Sequence, residues 1–63
     1  MTLKDACKKS VDSHDPVLAG KIVEQLRNMG FDYNSCASFF KRNAGIDTDT
    51  FESLMYEADS GGE

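Results

Sequence analysis

Between Asp15-Pro16 and Gly30 the sequence leaves the backbone little choice but a helix. Leu18, Ile22, Leu26 and Met29 recur at spacings of four, four and three, and Val23 widens the stripe. That periodicity lines up one side of an α-helix and cannot fall on one side of a strand. Asp15 can accept hydrogen bonds from the free amides of a first turn, and Pro16 suits the first helical position, where its missing amide proton is not needed. Gly30 can adopt the left-handed conformation that ends helices, so the helix is predicted to stop at Asn28 or Met29. Gly20 inside it costs about 1 kcal/mol relative to Ala. Close approach of a second helix would explain it, and simple tolerance would do so equally well.

Three more segments show helical spacing. Thr2 with Asp5 resembles a capping pair, and behind it Leu3, Ala6, Cys7 and Ser10/Val11 fall on one stripe. Asp12-Ser13-His14-Asp15 breaks that first helix with side chains that compete for backbone hydrogen bonds. After Gly30, Asp32 or Asn34 can cap a helix carrying Cys36, Phe39 and Phe40, with Lys41 and Arg42 near its C-terminal end, where the helix dipole favours cations. Ala44-Gly45 closes it. The last helix begins at Asp47 or Thr48, with Phe51, Leu54, Met55 and Ala58 on its apolar side and Asp47, Asp49 and Glu52 in its first turns. No strand pattern or internal repeat competes. The expected fold is all-α, a small bundle of three core helices plus a short N-terminal helix. Residues 1–14 form that helix and a linker, 15–59 the three-helix core, and 60–63 a flexible acidic tail.

With 63 residues there is one domain, a small core and no room for a deep catalytic cleft. Charge is unevenly placed: residues 1–30 hold five Lys or Arg against four Asp or Glu, and residues 31–63 hold two against seven. An acidic C-terminal half repels phosphate backbones and suits a partner with a basic surface. Cys7 and Cys36 occupy apolar positions and read as reduced, packed thiols rather than a disulfide framework. No apolar run is long enough to span a bilayer, and Lys4 and Asp5 interrupt any signal-peptide core, so an intracellular setting is expected.

Residues that could do chemistry are few. His14 is the single histidine, and a loop flanked by Ser13 and Asp15 offers no scaffold to hold an acid/base or nucleophilic site. Two separated cysteines and one histidine give no chelating pair. The acids of Asp47-Thr48-Asp49-Thr50-Phe51-Glu52 lack the third alternating ligand and the central glycine of a calcium loop. No catalytic residue, metal site or cofactor is therefore expected, and the chain reads as noncatalytic.

What remains is the corner Met29-Gly30-Phe31, which places two large apolar side chains at a turn. Either they plug the core from its corner, clamping the turn by packing, or they are offered to a partner. Tyr33 and Tyr56, apolar with a polar tip, suit half-exposed rim positions.

From Leu18 to Ala58 the chain resembles a ubiquitin-associated (UBA) domain. Ile22 and Leu26 fall where that family's first helix is apolar, and Met29-Gly30-Phe31 reproduces its signature turn. Cys36 takes a position usually small, Phe40 that of a buried Leu, and Leu54-Met55 stands in for two leucines near the end of the third helix. The resemblance implies a noncatalytic interaction module that binds ubiquitin or a ubiquitin-like protein through one apolar patch made of Met29, Gly30, Phe31, Leu54 and Met55. The chain departs from the family at Phe39, where Ala is usual. That added volume would require helices to splay.

A second resemblance lies in Ala44-Gly45-Ile46-Asp47-Thr48-Asp49-Thr50-Phe51, which is similar to the turn of a helix-turn-helix of the tetracycline-repressor type. It implies a regulator or inhibitor acting on DNA or on a nucleic-acid-associated protein. Chemistry opposes direct DNA binding, because Asp47, Asp49, Glu52 and Glu57 stand where base-reading helices present Arg, Lys, Asn or Gln. A protein partner is expected, nucleic acid is disfavoured, and no membrane contact is expected.

Overall fold

One hydroxyl and three carboxylates set where the helices begin. In a computed structural model, which describes residues 2–61, four α-helices follow one another and no strand occurs among the described residues. Helix α1 spans Leu3–Asp12, and Thr2 Oγ1 accepts from the Asp5 amide at 3.2 Å. Helix α2 spans Pro16–Asn28, with Asp15 accepting from Leu18 N at 3.1 Å. Helix α3 spans Tyr33–Ala44, with Asp32 accepting from Ser35 N at 2.8 Å. Helix α4 spans Thr48–Gly61, and Asp47 accepts from Thr50 N at 2.8 Å. Each cap satisfies an amide that the helix itself leaves without a partner. Of the alternatives the sequence offered, Asp32 and not Asn34 caps α3, and Asp47 caps a helix that starts at Thr48.

The helix ends follow one chemistry with different residues. Beyond α2, Phe31 N donates to Leu26 O and Gly30 N to Arg27 O, both at 3.0 Å, with Gly30 at φ +97°. This is the Schellman closure, in which a left-handed residue turns two amides back onto the last carbonyls. Beyond α1 the same pattern recurs, with Asp15 N on Ser10 O at 2.7 Å and His14 N on Val11 O at 3.1 Å. Here His14, not a glycine, takes the left-handed position at φ 48°. The break that the sequence attributes to competing side chains is thus made by backbone bonds. Gly45 ends α3 at φ +72°, its amide on Lys41 O.

The interior draws on all four helices. Cys7 comes from α1, Ala19, Ile22 and Leu26 from α2, Cys36, Ala37 and Phe40 from α3, and Phe51 and Leu54 from α4. Helix α1, expected as a short addition to three core helices, contributes to this interior as well: it packs on both α2 and α3 and buries Cys7 and Ser10 completely. Ser10 is tolerated there because its hydroxyl donates to Cys7 O at 2.7 Å. Helix α2 also packs on α4, and α3 packs on α2 and α4. At the centre the rings of Phe40 and Phe51 meet at 5.0 Å. Both cysteines are free and buried.

Two expected boundaries move. The buried stripe of α2 runs through Ala19, Ile22 and Leu26, leaving Leu18 and Val23 half-buried and Met29 outside. Helix α4 continues to Gly61, past the point where a flexible tail is predicted; residues 62 and 63 of that tail lie outside the described residues. Ala58, the last residue of the apolar pattern, lies close to Gly20 of α2, and the helix runs on past it.

Candidate interaction surface

The corner after α2 is closed by backbone bonds, and this leaves its two large side chains free to part company. Met29 occupies the cap position at φ −85° and ψ 0°, and its side chain is 62% exposed. Phe31, the residue past the glycine, turns inward and is half-buried. Its ring meets Phe39 edge-to-face at 6.4 Å, a geometry aromatic quadrupoles favour. So the corner holds one plug and one presented side chain. Gly30 has open space where a side chain would stand, so φ alone calls for glycine there.

Leu54 and Met55 also part. Consecutive helical residues point about 100° apart, and Leu54 is directed into the core with 4% of its surface exposed. Its residual edge borders a small recess of about 70 Å³ beside Val11, Ile46 and Glu57. Met55 lies half-buried on the wall of an open groove between α2 and α4, of about 410 Å³, shared with Val23, Asn28, Tyr33 and Ala58. Of the five residues that the resemblance assigns to one patch, the structure leaves Met29, Gly30 and Met55 on the outside. Phe31 faces a different cleft, beside Phe39 and Lys4, and Leu54 faces the interior.

Tyr33 belongs to this groove, 45% exposed, and its ring meets that of the buried Phe51 edge-on at 5.3 Å. Burial of its ring, and then the nearby Glu52 carboxylate, raise its hydroxyl above the ordinary tyrosine range. Tyr56 is 74% exposed on α4. Sequence reasoning placed both tyrosines at the rim, and it missed Val17, which is 53% exposed at the second position of α2, just off the apolar stripe. Glu24, Arg27 and Asp59 edge the groove and leave it net acidic.

Chemically reactive groups are poorly placed by comparison. Burial pushes the Cys7 thiol up to about 11 and also raises Cys36, so both stay protonated and poorly nucleophilic near neutral pH. His14 Nε2 sits 3.0 Å from a Glu57 carboxylate oxygen at the exposed surface. Among the described residues no three His, Cys, Asp or Glu side chains come together to hold a metal ion, and no helix is long and apolar enough to cross a membrane. The chain matches no known protein family, no curated protein and no solved structure.

Proposed function

We propose that this chain is a noncatalytic, intracellular protein-interaction module that binds ubiquitin or a ubiquitin-like protein, with residues 15–59 as a UBA-like unit and α1 packed against it. The observation that carries this reading is the exposure of Met29, held out from a rigid closed turn. The exposed Met29 at this corner and the accessible Met55 in the α2/α4 groove are the apolar groups that such a docking surface would use. Met29, Gly30 and Met55 are the contact residues, Phe31 holds the corner in shape from behind, and Leu54 supports Met55 from within the core. Glu24 and Asp59 favour a partner whose apolar face has a basic rim. Three contact residues make a small patch beside the roughly 800 Å² per side of a stable complex, so weak binding is the expected outcome. The two free, buried thiols accord with a reducing compartment.

Titration of ubiquitin into the isotope-labelled chain tests this. Shift changes gathered at Met29, Gly30, Tyr33 and Met55, and lost in Met29→Ala, are expected. No change at millimolar ubiquitin overturns the reading.

A second reading, a helix-turn-helix regulator or inhibitor, is favoured by Gly45, whose left-handed backbone leads through the half-buried Ile46 into α4. The exposed acids Asp47, Asp49 and Glu52 along the start of that helix steer it toward a nucleic-acid-associated protein rather than DNA itself.

A further inference from the structure

A second cleft, sharing no residue with the α2/α4 groove, opens between the start of α1 and the outer side of α3, and its volume is about 670 Å³. Its apolar part is the edge-to-face pair Phe31 and Phe39, both half-buried. Lys4 from α1 and Arg42 from α3 border it, and both are exposed. Among the described residues the one ion pair joins His14 and Glu57, so neither cation has a carboxylate partner within the fold. Lys4 and Arg42 thus border the same cleft as the aromatic pair, in a chain whose net charge is −4.

One acid, Asp32, also borders the cleft. Its carboxylate is already committed, accepting from Ser35 N at 2.8 Å, and that bond holds it below the ordinary aspartate range. The side chains of Asn34, Ser35 and Ser38 add neutral polar groups along the wall.

We propose that this cleft docks an acidic peptide segment carrying one large apolar side chain. The apolar side chain rests on Phe31 and Phe39, and carboxylates on either side of it meet Lys4 and Arg42. Charge complementarity selects this occupant. Two cations suit two carboxylates, and exposed charges farther away than about 10 Å are largely screened at 0.1 M salt. A nucleic acid would bring a continuous row of phosphates, which extends past two cations toward the acidic α4 of a molecule only 25 × 24 × 22 Å in extent.

The test uses the full chain, isotope-labelled, and the synthetic peptide acetyl-Glu-Asp-Glu-Leu-Phe-Asp-Glu-amide. Shift changes are expected at Lys4, Phe31, Ser35, Phe39 and Arg42, with Met55 and Val23 unmoved. The double variant Lys4→Glu/Arg42→Glu changes only exposed side chains, retains the wild-type spectrum elsewhere, and is expected to bind at least tenfold more weakly. The variant Lys21→Glu, on α2, is expected to bind as wild type does. No shifts at millimolar peptide, equal binding by the double variant, or the same shifts with a peptide whose acids are replaced by lysine overturn the proposal. So does a single-stranded DNA octamer that shifts these residues when the peptide does not. Ubiquitin plays no part in this experiment, so its outcome is independent of the α2/α4 groove.

Discussion

Ala58 on α4 places its methyl carbon 3.4 Å from the point that a side-chain carbon at Gly20 on α2 would occupy. This is ordinary van der Waals contact, so α4 approaches α2 closely enough to touch a methyl group and not closely enough to exclude one. Gly20→Ala is therefore expected to raise stability by about 0.5–1 kcal/mol, the helix-propensity difference. Gly20→Leu, which drives a branched chain into α4, is expected to lower it. Urea unfolding of both variants measures this, and a destabilised alanine variant would show that the helices lie closer than 3.4 Å contact allows.

His14 spends conformational energy where a glycine would not. At φ 48° it closes α1 in the left-handed position. His14→Gly is expected to raise stability by up to about 1 kcal/mol, and His14→Val, branched at Cβ, to lower it by about 1 kcal/mol or more. The ion pair with Glu57 is exposed on both sides, so Glu57→Gln should change stability by less than about 0.5 kcal/mol. Thermal unfolding of the three variants separates backbone strain from charge.

Burial of Cys7 makes stability depend on alkaline pH. In the unfolded chain its thiol ionises near 9.0, and in the folded protein near 11. Between these values the folded chain keeps a proton that the unfolded chain has lost, so stability falls as pH rises through this window and is unaffected by this group below it. The urea midpoint is expected to decline from pH 8 to pH 10.5, and Cys7→Ala should decline less steeply. Both cysteines should also react with a disulfide reagent far more slowly in the folded chain than in urea.

Met29 and Leu54 should behave as opposites, although the UBA resemblance gives them the same role. Met29→Ala truncates an exposed side chain and should shift stability by no more than about 0.5 kcal/mol. Leu54→Ala empties a core position and should lower it by about 2–5 kcal/mol. For a domain of this size, that leaves little or no folded protein at 37 °C. Circular dichroism melts of the pair decide the matter, and a stable Leu54→Ala variant would contradict its place in the core.

Much of the local structure is legible along the chain. The caps at Thr2, Asp15, Asp32 and Asp47, the glycine stops at Gly30 and Gly45, and the buried Ile22, Leu26, Phe40 and Phe51 all follow from spacing and from turn chemistry. These are interactions between residues three or four apart, or burial on a single stripe, and they do not need a partner helix to be read. The left-handed His14 escapes such reading because its residue type does not announce a positive φ.

What spacing could not tell is how neighbours on the same stripe divide between interior and surface. Leu54 and Met55, which are consecutive, and Met29 and Phe31, on either side of Gly30, are all apolar, and only the placement of other helices separates them. Helix α1, packed on α2 and α3, leaves Phe31 to lie over Phe39 beside Lys4. Gly20 and Ala58 line the α2/α4 groove in which Met55 remains accessible. Periodicity defines the side of a helix that must be covered; which residue at its margin stays uncovered depends on where the covering helix stops, and that is a property of packing in three dimensions.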